Sequence, residues 1–118
     1  MSVIVIVLDE VPSAKNLLSF QRLFNVSLQS IKSACSAAHP LLEIEIFDGD
    51  YQAHADLIRS VLKVVKDENL KADFYELPFG LNYSQDADIQ KFKINLRNVE
   101  QILEATDEEF ERQQDSEF

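Results

Sequence analysis

Apolar residues recur along this chain with more than one period, and the period changes mark its elements. Val3 to Leu8, VIVIVL, is apolar without a break and rich in β-branched residues. Successive side chains of a strand point to opposite sides, so such a run fits a strand covered on both faces. We take it as the central strand. From Ala14 to Ala38 the apolar positions are Leu17, Phe20, Phe24, Leu28, Ile31, Cys35 and Ala38, spaced by three or four, which predicts a helix. Ser13 is its candidate N-cap, and His39-Pro40 ends it, because the residue before a proline is driven out of the α region. Phe24-Asn25-Val26-Ser27 offers an alternative, two helices with Asn25 or Ser27 as a second cap.

Leu42 to Phe47, LEIEIF, alternates aliphatic and charged residues over its first five positions, the pattern of a strand with one wet face. Its Glu43 and Glu45 suit a sheet edge, where charge discourages another chain from pairing. After the Asp48-Gly49-Asp50 turn, a helix of about Tyr51 to Glu68 gathers His54, Leu57, Ile58, Val61, Leu62 and Val65 on one face. Ala72 to Leu77 is the third predicted strand, closed by Pro78. A loop through Phe79, Leu81 and Tyr83 leads to Ser84, the candidate cap of a long last helix bearing Ile89, Phe92, Leu96, Val99, Leu103 and Phe110.

The order β-α-β-α-β-α, with a right-handed crossover after each strand, predicts an α/β fold. The expected sheet is three-stranded and parallel, in order 2-1-3, with helices on both faces and a long C-terminal helix. A chain of 118 residues suits one domain, since domains commonly hold roughly 100 to 150 residues. We assign residues 1–112 to it and 113–118 to a disordered acidic tail. Two helical stripes of about 21 residues, roughly 30 Å each at 1.5 Å per residue, exceed what three strands can cover. Their excess length points to a homodimer joined through the long helices.

Charge narrows the choice of partners. The net charge is −10, and from Glu104 onward seven acids face one base, Arg112, a local −6 that leaves −4 for the rest. Nucleic acid and anionic membranes both demand excess Lys and Arg, so neither is an expected partner. A single cysteine rules out an internal disulfide and favours a reducing compartment. The apolar run near the start is too short for a signal sequence or a membrane span, and we expect a cytoplasmic protein.

In an open parallel sheet, ligands gather at the carboxyl ends of the strands. That rim would carry Asp9 after strand one and Asp48 and Asp50 after strand two, hard oxygen ligands suited to Mg²⁺. His54 would stand nearby as a base titrating near neutrality. Metal-assisted phosphoryl transfer or hydrolysis is the chemistry such a rim would serve. The stronger reading of the same aspartates is as ordinary helix caps and dipole partners, and a histidine on an apolar helix face is ordinarily a packing residue.

Neither a phosphate-cradling glycine loop nor a nucleophile elbow is present, and one Cys with two His cannot assemble a zinc site by the usual spacings. Aromatic and aliphatic residues in exposed positions are interface anchors, which makes Phe79, Leu81, Tyr83 and Phe110 candidates for contact with a protein partner. The other reading of Phe79 and Leu81 is a plug folded over the core edge. The sequence thus favours a small acidic interaction or regulatory module without catalysis or cofactor, and keeps the Mg²⁺-dependent enzyme as its alternative.

Overall fold

In the computed structural model, residues 2–78, 81, 83 and 87–116 are described. The elements are β1 (Ser2–Leu8), α1 (Ala14–Phe24), α2 (Leu28–Ser36), β2 (Pro40–Glu45), α3 (Tyr51–Asp67) and β3 (Ala72–Pro78). A 3-10 helix (Ala87–Phe92), β4 (Lys93–Ile94) and α4 (Leu96–Ser116) complete them. Phe79 and the last two residues of the acidic tail lie outside the described residues.

β1 lies between β2 and β3, and all its residues from Val3 to Leu8 are buried. Both neighbours, however, run antiparallel to it: Val3 faces Glu45 on one side and Leu77 on the other. β4 adds a fourth strand, antiparallel to β3. The expected three-stranded parallel sheet of order 2-1-3 is therefore corrected to a four-stranded antiparallel sheet of order β2-β1-β3-β4.

The reversal begins at Asn25. This residue takes the left-handed conformation, φ 55° and ψ 46°, and its amide donates to the Gln21 carbonyl, closing α1. Asn is among the few non-glycine residues that adopt this conformation readily. Two residues later Ser27 starts α2, its Oγ accepting from the Ser30 amide at 3.1 Å. One helix after β1 would have carried the chain back to the start of that strand and made β2 parallel. Two helices return it to the end it had just left, and Pro40 accordingly sits opposite Val7. Only α3 separates β2 from β3, so those two strands run parallel to each other with β1 between them.

The predicted last helix is likewise divided. Ile89 belongs to the 3-10 helix, Lys93 and Ile94 pair with Tyr75 and Phe74, and α4 starts only at Leu96. Asn95 and Asn98 cap its first turn reciprocally: the Asn98 amide donates to Asn95 Oδ1 at 2.7 Å and the Asn95 amide to Asn98 Oδ1 at 3.1 Å. Each bond satisfies an amide that the first helical turn leaves without a partner.

The sheet separates two cores. Ile4, Ile6 and Leu8 point to one face and pack with Leu17, Phe20, Ile31, Cys35, Ile58, Val61, Val99 and Leu103, so all four described α-helices contribute to that side. On the other, Val3, Val5 and Val7 meet Tyr75, Leu77 and Ile89, with Tyr83 and Phe92 packed alongside. Helices on both faces are thus corrected to α-helices on one face and the 3-10 segment on the other. The edge strand β2 carries Glu43, exposed, and Glu45, whose Oε1 is buried without a hydrogen-bond partner among the described residues. A charge held inward on an edge discourages addition of a further strand. Among the described residues no helix is long and apolar enough to cross a membrane.

Helix α4 lies along α3. Lys66 pairs with Glu100 at 2.9 Å, and Arg59 pairs with Asp107, a step of seven residues on each helix in opposite directions. Both pairs are partly exposed, so each contributes at most about 1 kcal/mol. They set the register of α4, while Val99 and Leu103, both buried, provide the apolar contact.

Candidate functional site

Beyond Leu103, α4 passes the start of α3, and there three aromatic rings come together. Tyr51 is the first residue of α3, held there by Asp50, whose Oδ1 accepts from the Ala53 amide at 3.2 Å. Gly49, at φ 75°, makes the turn that brings the chain from β2 into this cap, a conformation that costs glycine nothing. The Tyr51 ring is 7% exposed and lies between Phe47, centroids 6.0 Å apart, and Phe110, centroids 5.2 Å apart. Its hydroxyl is 3.3 Å from both the Leu103 carbonyl and Asp107 Oδ1, each of which can accept its proton. Burial, and secondarily the Asp107 carboxylate, push the Tyr51 phenol above its ordinary pKa. It stays a neutral donor that ties α4 to α3.

The outer rings are in water. Phe47 is 39% and Phe110 46% exposed, although both lean on a buried, hydrogen-bonded partner. Phe110 also divides two adjoining hollows. One, of about 360 Å³, is lined by Gly49, Asp50, Tyr51, Gln52 and Phe110. The other, of about 290 Å³, is lined by Gln52, Asp107, Phe110 and Glu111. The patch is thus apolar at its centre and acidic around it.

The residues expected at a common acidic rim are separated by the antiparallel sheet. Asp9 follows β1 at the end where Leu8 faces Ala72, whereas Asp48 and Asp50 follow β2 at the end where Val3 faces Glu45. The three carboxylates therefore do not converge, and among the described residues no group of three or more His, Cys, Asp or Glu side chains is placed to hold a metal ion. Asp50 acts as a helix cap and Asp48 is exposed. His54 is half-buried in the second turn of α3, with Nδ1 3.3 Å from the Ile46 carbonyl.

Asp9 instead meets Asp73 on β3, and Lys93 of β4 pairs with Asp73 at 3.1 Å. Although Asp9 is exposed, partial desolvation first, and then the neighbouring Asp73 carboxylate, raise its pKa above 3.8. The folded protein therefore holds this proton more tightly than the unfolded chain, and the native state loses stability as pH rises from 3.8 through the folded-state value. Asp9→Asn, which has no proton to release, is expected to be more stable than the parent at pH 7 and to lose that advantage at pH 3. Urea midpoints at the two pH values check this, and an Asn variant less stable at pH 7 would contradict it.

Of the loop residues expected to contact a partner, Leu81 is exposed, whereas Tyr83 is half-buried with its ring 5.4 Å from Tyr75. Tyr83 therefore closes the second core. Phe47 and Tyr51 were not singled out by sequence. They fall at the end of one predicted element and the start of the next, and nothing local ties either to Phe110, 59 residues beyond Tyr51. Their one visible signal is an aromatic on each side of the Asp48-Gly49-Asp50 turn.

No protein-family model matches the chain, and comparisons with curated proteins and with solved structures give no significant match either.

Proposed function

We propose that this chain is a protein-interaction module that acts by binding rather than catalysis, with Phe47, Tyr51 and Phe110 as its docking surface. One observation carries the reading: two partly exposed phenylalanines pack against a buried tyrosine whose hydroxyl is itself anchored. Rigid aromatic anchors lose little conformational entropy on binding, and side chains of this kind dominate interface energetics. Phe110, expected from sequence to meet a partner, is part of this surface.

The surface suits a different molecule better than a second copy. Two copies meeting here would bring the Asp50 and Glu111 carboxylates of one close to those of the other. The length argument for a homodimer is also weaker, because the first long stripe is folded back at Asn25 into α1 and α2. A lone buried cysteine supports a reducing, cytoplasmic setting.

A photo-crosslinking residue at exposed Gln52, which lines both hollows, tests the reading in the native host. We expect one discrete adduct that disappears with Phe110→Ser, and none from the same probe at Leu18, an exposed apolar position on α1. No adduct from Gln52, or one indifferent to Phe110→Ser, would overturn it.

A further inference from the structure

We infer that the partner presents a cationic segment in which one large apolar side chain is flanked by Arg or Lys. The inference rests on the docking surface proposed above and adds the chemistry of its ligand. It follows from how Phe110 divides the surface. On one side of the ring, the hollow between Gly49, Tyr51 and Phe110 is largely apolar and, at about 360 Å³, has room for a single leucine or phenylalanine side chain. On the other side the walls are Gln52, Asp107 and Glu111, a polar hollow that excludes an aliphatic group but suits a guanidinium or ammonium.

The carboxylates differ in what remains to them. Asp107 already accepts from Tyr51 and Arg59, so its charge is largely answered within the fold. Glu111, one turn along α4, is exposed and has no ion-pair partner among the described residues. A cation placed over the Phe110 ring would face Glu111 and gain from the ring's negative π-face at the same time. Asp50 adds a carboxylate to the lining of the apolar hollow, so a segment with a base on each side of its anchor meets negative charge in both hollows.

Synthetic peptides titrated into the isotope-labelled full chain separate the possibilities, read from the ring resonances of Phe47, Tyr51 and Phe110. The probe is a short peptide with one phenylalanine between arginines. Its companions replace the arginines with glutamines, replace them with glutamates, or replace the phenylalanine with alanine. The arginine peptide should shift all three rings, with an affinity that falls as salt rises. Phe110→Ala should weaken it about tenfold or more, as loss of an interface anchor does. Glu111→Gln should weaken it about two- to fivefold, the scale of one exposed charge pair. The glutamate peptide should not bind.

Equal binding of the glutamine peptide at the same rings would overturn the cationic partner while leaving the docking surface in place. Equal binding of the alanine peptide would overturn the apolar anchor, as would arginine-peptide binding that shifts resonances elsewhere. If no peptide binds and the free chain instead broadens at these rings with concentration while its mass doubles, a second copy is the occupant and the inference fails.

Discussion

Phe20→Ala is expected to lower the free energy of unfolding by about 3–5 kcal/mol, a large part of the roughly 5–15 kcal/mol that holds a domain together. Phe20 is fully buried on α1, facing the sheet side of Ile4, Ile6 and Leu8, and its ring stacks on Phe24 with centroids 6.1 Å apart. Truncation removes the transfer free energy of the ring and leaves a cavity among side chains fixed by the strand below. The urea midpoint should fall with the slope unchanged, since the surface exposed on unfolding is nearly the same. Should the alanine variant fail to fold, Phe20→Leu supplies a milder probe that fills most of the space. A cost under about 1 kcal/mol for the alanine variant would mean that α1 does not pack on the sheet.

On α4, two truncations seven residues apart should differ sharply. Leu103 is 1% exposed and belongs to the core with Val99, whereas Phe110 is 46% exposed on the same helix. Leu103→Ala should cost about 2–5 kcal/mol. Phe110→Ala should cost no more than about 1.5 kcal/mol, the scale of its aromatic contact with Tyr51 beyond area burial. Denaturation of both variants under one condition gives the comparison. Equal costs would mean that the helix is rotated from its position here, and that Phe110 is a core residue with no role in docking.

The strength of each sequence signal depended on whether its cause was local. Val3 to Leu8 read as a buried central strand because burial on both faces is written into consecutive residues. The cap at Ser13 was legible for the same reason, and that of α3 was narrowed to Asp48 or Asp50, each observed bond spanning three residues. Strand direction was not local. It turned on whether Asn25 ended a helix, and the apolar spacing runs through Asn25 unbroken because both α1 and α2 turn their stripes to the same sheet face.

The last predicted helix misled in a related way. Ile89 and Phe92 fit the helical period with Leu96 and Val99, yet the first two pack on one face of the sheet and the last two on the other. The reciprocal Asn95-Asn98 cap was the sequence sign of the true start. Once β2 reversed, Asp9 parted from Asp48 and Asp50, and the rim that motivated a metal-dependent enzyme was lost with the parallel sheet. Phe110 was legible as an apolar residue on a polar stretch of helix, but its companions Phe47 and Tyr51 emerge only when α3 and α4 lie side by side.

The arrangement of those three rings carries the functional account, and a nuclear Overhauser spectrum of the free protein measures it directly. Cross-peaks should join the Tyr51 ring to Phe110 on one side and to Phe47 on the other, at the 5.2 Å and 6.0 Å centroid separations of the fold. A spectrum in which Phe110 contacts only its own helix, or in which Tyr51 lacks either neighbour, would contradict the account.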